Sequence, residues 1–208
     1  MIIAVDGPSA AGKGTLARGL AKALGYHFLD TGSLYRAVGF LMLRDGRALD
    51  DEQAAAALAA ALDLAAIPDG ALRSEAVAAA ASKVSALPKV RVALLQFQRE
   101  FAARKPGAVL DGRDIGTVVC PGADLKFFVS ASPQVRAQRR FDELKALGQD
   151  VQYTDVYDDI RARDGRDAAR ATAPLKPADD AILIDTSDLT AEEVLKAVLA
   201  VVREQTGA

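Results

Sequence analysis

The sequence predicts an α/β fold in which helices flank a parallel five-stranded sheet. Three observations predict it: short β-branched or aliphatic runs, helical periodicity between those runs, and a glycine-rich loop that joins the first run to the first helix. The predicted strands cover residues 2–5, 27–29, 108–110, 125–129 and 181–184. Strands separated by helices are typical of a parallel sheet that is covered on both faces.

The predicted helices cover residues 16–24, 34–43, 133–146, 156–170 and 191–204, together with an alanine-rich helical region at 52–103. Ser132 followed by Pro133 is typical of a helix start, and Thr190 followed by Glu193 matches a capping box. The strands are unevenly spaced, because a long helical excursion follows the second strand and a charged one follows the fourth. We interpret both as insertions into a single domain whose core covers about residues 1–30, 108–135 and 175–208.

Composition excludes several classes of protein. At 208 residues the chain can bury one substantial core, and its net charge of −2 lacks the surplus of lysine and arginine that a general nucleic-acid binder needs. The single cysteine, Cys120, cannot form an internal disulfide. The first five residues lack the pattern of a signal peptide, and the apolar stretch at 54–66 is too short to cross a bilayer. We expect a cytoplasmic protein that binds neither nucleic acid nor a membrane.

The glycine-rich loop has the pattern of a phosphate-binding loop. Glycines let the backbone curl so that successive N–H groups face one anion, and the start of the following helix adds a partial positive charge. Lys13 can then reach the β- and γ-phosphates of a nucleoside triphosphate. An ordinary strand-to-helix turn has no need for Gly-Lys-Gly-Thr at the helix start. We predict that ATP is bound by the whole loop, which consists of Gly7, Pro8, Ser9, Ala10, Ala11, Gly12, Lys13, Gly14 and Thr15.

One departure from the usual loop pattern concerns the metal. Gly14 follows Lys13, so the hydroxyl that normally binds Mg²⁺ is displaced to Thr15. We expect Mg²⁺ to be held by nucleotide oxygens, water and a distant carboxylate. Asp111, which follows the third predicted strand, is the candidate carboxylate and would act through water. The alternative is that Asp111 forms a turn with Gly112.

Four motifs together resemble the bacterial cytidylate kinases, which are P-loop nucleoside monophosphate kinases. They are the phosphate-binding loop, Asp-Thr-Gly-Ser-Leu-Tyr-Arg at 30–36, Asp-Gly-Arg-Asp-Ile-Gly-Thr at 111–117 and Arg-Asp-Gly-Arg-Asp-Ala-Ala-Arg at 163–170. The resemblance covers nearly the whole chain. It implies a P-loop NTPase-like fold and a monomeric, Mg²⁺-dependent enzyme that transfers the γ-phosphoryl group of ATP in line to CMP or dCMP. The alternative is a P-loop kinase of another monophosphate or of a small-molecule acceptor.

The resemblance also implies the site residues. Lys13, Arg113 and Arg163 would be catalytic, and Arg139 would contact ATP. Asp114 could accept a hydrogen bond from the amino group of cytosine and would repel the oxygen that uracil carries at the same position. The arginines could instead pair with surface acids, and Ser82 alone would be an ordinary helix residue. The residues implied to contact CMP are Thr31, Tyr35, Arg36, Ser82, Arg91, Asp111, Arg113, Asp114, Arg163, Asp167 and Arg170.

The two insertions are assigned by composition and by the same resemblance. Residues 31–107, approximately, would bind the acceptor, although segment 62–76 is too short for the small β-structured insertion that relatives carry there. Residues 140–165, approximately, would form an arginine-rich lid. Seven of the 17 arginines lie between residues 136 and 170 at helical spacings. The alternative is a pair of solvated helices with ion pairs such as Arg163 with Asp167, and we expect about half of these arginines to contact phosphate.

Overall fold

The computed structural model describes residues 1–68 and 70–206. Its strands are β1 (Ile2–Asp6), β2 (His27–Asp30), β3 (Ala108–Gly112), β4 (Leu125–Ser130) and β5 (Ile182–Asp185). They form a five-stranded sheet in the order β2-β3-β1-β4-β5, with β1 in the centre. Strand β1 pairs in parallel with β3 and β4, and β4 pairs in parallel with β5. The predicted sheet is confirmed.

The helices lie between the strands, as the periodicity predicts. They are α1 (Lys13–Leu24), α2 (Thr31–Arg44), α3 (Glu52–Ala60), α4 (Glu75–Val84), α5 (Pro88–Ala102), α6 (Pro133–Ala146), α7 (Tyr153–Ala168) and α8 (Ala191–Thr206). The Ser132 hydroxyl accepts a hydrogen bond from Val135 N, 3.3 Å away, at the start of α6. Before α8, Thr190 N donates to Glu193 Oε2 over 2.8 Å and Glu193 N donates to Thr190 Oγ1 over 3.3 Å, which is the predicted capping box.

The alanine-rich region at 52–103 is three helices rather than one continuous helix. Short 3₁₀ turns at Leu64–Ala66 and Ala71–Arg73 separate α3 from α4. Side chains at the breaks accept backbone hydrogen bonds that a continuous helix would use: Asp63 accepts from Ala65 N and Ser74 accepts from Val77 N. Alanine composition favours helix along the whole region, and these caps decide where each helix starts.

The chain forms two compact units, which we call the sheet unit (Met1–Leu29 with Ala103–Ala208) and the helical unit (Asp30–Ala102). The sheet unit has its own apolar core, in which the sheet packs with α1 and α8. Members of this core are Ile3, Val5, Leu16, Leu20, Val109, Phe127, Val194 and Val198. The buried strand residues hold the carboxyl end of β1 in place, and the phosphate-binding loop starts there.

The helical unit has a second core, built from α2 to α5. Its buried members include Leu34, Val38, Met42, Val84 and Leu94. Helix α2 approaches α4 closely at Gly39, where a Cβ atom would lie 2.9 Å from Ala81 N. No described helix combines the length and apolar character needed to cross a membrane.

Candidate active site

Residues 7–12 of the phosphate-binding loop lie between β1 and α1, and its last three residues begin α1. Gly7 has φ +144°, and a Cβ atom there would lie 1.9 Å from Val129 O, so only glycine fits. Positive φ recurs at Ala10 (59°) and Gly12 (88°), the residue that precedes α1. Backbone that alternates in this way turns N–H groups inward and is typical of anion-binding loops.

Lys13, the first residue of α1, is buried within this loop at 6% exposure. Its ammonium donates a hydrogen bond to Pro8 O, 2.9 Å away, and lies 3.8 Å from Asp111 Oδ1. The other carboxylate oxygen of Asp111 would lie 3.1 Å from a Cβ atom at Gly14. The structure therefore places Asp111, the carboxylate predicted to hold Mg²⁺ through water, directly against the start of α1.

The surroundings of Lys13 disfavour its charge. Burial lowers the pKa of Lys13 most, the charges of Arg113 and Arg163 lower it further, and Asp111 and Asp6 oppose them, so that the pKa falls to about 8. An ammonium in this state is held without its normal hydration and is stabilised when an anion arrives.

This pKa predicts a descending limb in the pH profile of the free protein. Because Lys13 loses its proton above about pH 8, the kcat/KM for ATP should fall as pH rises through that value. Initial rates at limiting ATP, measured between about pH 7 and about pH 10, check the prediction. The variant Lys13→Arg keeps its charge in this range, so a limb that persists unchanged in it would assign the titration to another group.

Three predicted arginines gather around one buried carboxylate. Asp167, on α7, is 1% exposed and accepts hydrogen bonds from Arg113 Nε at 3.0 Å and from Arg170 Nη2. Burial alone would raise the pKa of Asp167, but the charges of Arg113, Arg170 and Arg163 outweigh it and lower the pKa. The Asp167 carboxylate thus orients Arg113, which follows β3, and Arg170, which follows α7. Because three arginines surround one carboxylate, the cluster carries a net positive charge.

Arg139, on α6, lies beside the loop and a cavity. Its guanidinium donates to Thr186 Oγ1 over 2.9 Å and to Thr186 O over 2.6 Å. Thr186 Oγ1 in turn donates to Ala11 O, 3.1 Å away, in the loop. The adjoining cavity has a volume of about 330 Å³, and its lining includes Gly12, Thr15, Leu16, Arg139, Leu189 and Val194.

The remaining predicted site residues other than Asp114 lie in the helical unit, whereas Asp114 is buried in the sheet unit, after β3. Asp30 precedes α2 and accepts a hydrogen bond from Ser33 N. Arg36 donates to Asp30 Oδ2 over 2.6 Å and lies next to Gly32, one turn earlier in the same helix. The alternative considered for this arginine, pairing with an acid, is therefore observed. Thr31, the first residue of α2, is buried.

The other helical-unit residues are held by their neighbours. The guanidinium carbon of Arg91 lies 5.5 Å from the centre of the Tyr35 ring, and Arg91 Nη1 donates to Ser85 O over 3.1 Å. Ser82 is buried, and its carbonyl accepts from Ser85 Oγ over 3.1 Å. Contacts of these residues with CMP stay a prediction.

Comparison with known proteins identifies the family. The family model described as cytidylate kinase matches residues 3–204. The chain belongs to the cytidylate kinase family. Within it, a cytidylate kinase from Rhodopseudomonas palustris (strain BisA53) is 57% identical over 202 residues, which are 97% of this chain and 96% of that protein. A cytidylate kinase from Methylocella silvestris (strain DSM 15510) is 54% identical over 202 residues, 97% of this chain and 94% of that protein.

Solved structures support the fold of this cytidylate kinase family member. A gluconokinase from Sinorhizobium meliloti 1021 superposes with a TM-score of 0.51 at 17% identity, covering 95% of this chain and 89% of that one. At this identity the likeness shows only a shared fold. The predicted family and the predicted P-loop kinase fold are both confirmed.

The sequence analysis did not predict one buried acid of this cytidylate kinase family member. Asp6 ends β1 and accepts hydrogen bonds from Ile115 N at 2.8 Å and Gly116 N at 2.7 Å. These residues begin a π-helical turn, Ile115–Val119, which also was not predicted. The sequence did contain a signal for Asp6, because a charged residue stands between the apolar strand predicted at 2–5 and Gly7. The strand was predicted to end at Val5, one residue before its observed end.

Arg136 has a different position from that expected of a lid arginine. It is buried on α6 and donates to Ala131 O, to Ser9 O in the loop and to both carboxylate oxygens of Asp164 on α7. Arg140 on the same helix pairs with Glu143, 2.7 Å away. Arg136 therefore joins the phosphate-binding loop to α7, whereas Arg140 pairs within its own helix, and helical spacing alone could not distinguish either from a phosphate ligand.

Proposed function

We propose that this chain is an ATP-dependent kinase that phosphorylates CMP and dCMP to CDP and dCDP. The observation that carries the proposal is the buried Lys13 in the phosphate-binding loop, together with Asp111 and the arginines around Asp167. Membership of the cytidylate kinase family and the names of the relatives support CMP as the acceptor.

The loop and the neighbouring cavity are the proposed donor site. Residues 7–15 surround the phosphates of ATP with backbone amides, and Lys13 contacts the β- and γ-phosphates. The cavity of about 330 Å³ beside Gly12 accepts the adenine ring, which packs on Leu189 and Val194. Arg139, fixed by two hydrogen bonds to Thr186, lies at the same cavity and contacts ATP.

The acceptor is proposed to contact the residues that the resemblance implies. Arg36 and Arg113 bind its phosphate, because guanidinium groups pair with phosphate through directed hydrogen bonds. Asp167 already orients Arg113. Arg163 and Asp167 reach the sugar hydroxyls. Asp114 accepts from the cytosine amino group. The full proposed set is Thr31, Tyr35, Arg36, Ser82, Arg91, Asp111, Arg113, Asp114, Arg163, Asp167 and Arg170.

Mg²⁺ is proposed as the metal that accompanies ATP. The described residues contain no group of three or more His, Cys, Asp or Glu side chains that could hold an ion by themselves. A single carboxylate, Asp111, lies against the start of α1 and fits a metal held mainly by nucleotide oxygens and water. When bound, Mg²⁺ neutralises phosphate charge and polarises the transferred group.

The proposed chemistry is direct in-line transfer. An oxygen of the CMP phosphate attacks the γ-phosphorus of ATP, and the bond from that phosphorus to the β–γ bridging oxygen breaks, leaving ADP. No general base is needed, because the attacking oxygen is already an anion near neutral pH. Lys13, Arg113 and Arg163 stabilise the charge that spreads over the transferring oxygens.

A lid formed by residues 140–165, approximately, is proposed to close when both nucleotides are bound. Closure would exclude water, to which ATP would otherwise lose its phosphoryl group. The proposal is supported by Arg163 on α7, whose charge acts on Lys13 in the phosphate-binding loop. A crystal structure with ATP analogue and CMP bound tests it, and helices α6 and α7 in unchanged positions would contradict closure.

An assay of ADP release tests the proposed function directly. The protein is incubated with ATP, Mg²⁺ and one acceptor from a panel of CMP, dCMP, UMP, AMP, GMP and gluconate. We expect CMP and dCMP to give the highest kcat/KM. Faster phosphorylation of any other acceptor would favour the alternative, a P-loop kinase of another substrate.

We also propose a cytoplasmic enzyme that acts as a monomer. Light scattering coupled to gel filtration, at concentrations used for the assay, tests this; an active dimer without active monomer would contradict it.

A further inference from the structure

Asp6 is the last residue of β1, directly before the phosphate-binding loop and beside the end of β3. In the central strand β1 it pairs with Gly112 on one side and with Phe128 on the other. Its side chain is 5% exposed, and its two carboxylate oxygens accept one hydrogen bond each, Oδ1 from Ile115 N and Oδ2 from Gly116 N. Charge-assisted bonds of this kind hold two successive amides in one direction.

The segment held by Asp6 carries two proposed acceptor residues. Arg113 and Asp114 directly precede the two amides, and the Asp114 carbonyl accepts from Val118 N at 2.8 Å and from Val119 N at 3.1 Å. The backbone on both sides of the Asp114 side chain is therefore fixed, on one side by the strand and on the other by the π-helical turn. π-Helical turns are rare and often lie at functional sites.

Packing leaves this turn no alternative position. A Cβ atom at Gly116 would lie 3.1 Å from Lys126 Cδ and 3.4 Å from Asp6 Oδ2. The turn is thus in contact with both side chains, and a change in either one has to move it. Because Gly7 follows Asp6, the same residue is joined covalently to the start of the donor loop.

Stability alone does not account for an acid at this position. Burial raises the pKa of Asp6 to about 6 against its two backbone hydrogen bonds, and the neighbouring charge of Asp114 raises it further, while Lys13 lowers it. Because the folded pKa lies above the ordinary value, the ionised carboxylate destabilises the fold at neutral pH relative to its neutral form.

We propose that Asp6 is a positioning residue for acceptor selection, holding the Ile115 and Gly116 amides so that Asp114 is aligned with the phosphate-binding loop. The proposal rests on the proposed function, in which Asp114 contacts the cytosine amino group. Asp6 itself contacts neither nucleotide; it acts through the turn.

The test is the variant Asp6→Asn. Its amide oxygen can accept one of the two N–H groups, but its NH₂ group faces the other, so the turn shifts. We expect the kcat/KM for CMP to fall about tenfold, the preference for CMP over UMP to fall by a similar factor, and the KM for ATP to stay within about twofold. The melting temperature should change by less than about 3 °C, because the desolvation of the charge is relieved.

The matched control is Asp124→Asn. Asp124 Oδ2 accepts from Ile2 N over 2.6 Å at the opposite end of β1, so this variant makes the same change at a carboxylate that binds a backbone N–H of the same strand, and the asparagine oxygen can keep that single bond. It should leave the CMP:UMP ratio unchanged. In the double variant Asp6→Asn with Asp114→Asn, the ratio should equal that of Asp114→Asn alone within about twofold, because both changes act through one side chain.

Two measurements separate the possible outcomes. Amide hydrogen exchange at Ile115 and Gly116 should accelerate in Asp6→Asn and not in Asp124→Asn. If the wild-type protein prefers CMP and Asp6→Asn is folded, an unchanged CMP:UMP ratio in the variant overturns the proposal. Unchanged amide exchange at Ile115 and Gly116 also overturns it. A wild-type protein without preference for CMP overturns the proposed function instead, and amide exchange at Ile115 and Gly116 still decides the role of Asp6.

If Asp6→Asn does not fold, Gly116→Ala shifts the same turn and should lower the CMP:UMP ratio. An unchanged ratio in Gly116→Ala overturns the proposal.

Discussion

Replacing Lys13 with alanine should lower kcat by about 10²- to 10³-fold while the protein stays folded. The buried ammonium is the cation closest to the loop backbone, 2.9 Å from Pro8 O, and no neighbouring side chain can replace it without moving. Charge that develops on the transferring oxygens would then lose its main fixed counter-charge. The fold should survive, because burial and Arg113 already lower the pKa of Lys13 and its charge is therefore disfavoured in the folded protein.

The kinetic constants come from ADP release with ATP and CMP varied, and circular dichroism during heating checks the fold. Lys22→Ala is the matched control, since Lys22 lies on the same helix α1 and its side chain is exposed. It should leave kcat unchanged. A Lys13→Ala protein that keeps wild-type kcat would exclude the loop from phosphoryl transfer and with it the proposed mechanism.

Replacing Asp114 with asparagine should lower the kcat/KM for CMP by about 10²-fold and reduce the preference over UMP by a similar factor. A carboxylate can only accept hydrogen bonds, so it favours the cytosine amino group and repels the uracil oxygen. An amide can turn either its oxygen or its NH₂ group toward the base and therefore distinguishes the two bases poorly. Asp114 is buried, so water cannot readily compensate for the lost contact.

The measurement compares kcat/KM for CMP and UMP in wild type and variant at saturating ATP. Asp50→Asn is the matched control, because Asp50 is exposed and none of the proposed roles involves it. Its CMP:UMP ratio should equal that of wild type. A ratio for Asp114→Asn that stays at the wild-type value would place base selection elsewhere, with Ser82 and Arg91 as the next residues to replace.

Local pattern was sufficient for most of the fold. The alternation of apolar runs and helical periodicity predicted the five strands, and the caps at Ser132 and Thr190 were correct to the residue. The alanine-rich region was predicted only as helical, without internal boundaries. Its division into α3, α4 and α5 is helped by side chains such as Asp51 and Ser74, which cap the starts of α3 and α4.

The arginines show the same limit at the site. Arg139 and Arg140 follow Arg136 at spacings of three and four residues on α6, yet the three bind different groups. Arg136 contacts Ser9 O and Asp164, Arg139 contacts Thr186, and Arg140 pairs with Glu143. Spacing predicts which side of a helix a residue occupies, not which carboxylate or carbonyl comes to face it. Periodicity therefore could not assign which of the seven arginines contact phosphate, and the expectation that about half of them do stays a prediction.

The sequence by itself determined the phosphate-binding loop, the alternation of strands and helices, and the family, because each depends on residues close together in the chain. Only the tertiary structure decided which charges meet. Asp6 contacts amides 109 and 110 residues away, and Arg113 contacts Asp167 across 54 residues. Such partners are brought together by the strand order β2-β3-β1-β4-β5 and by where each strand ends, and no local pattern of residues encodes that order.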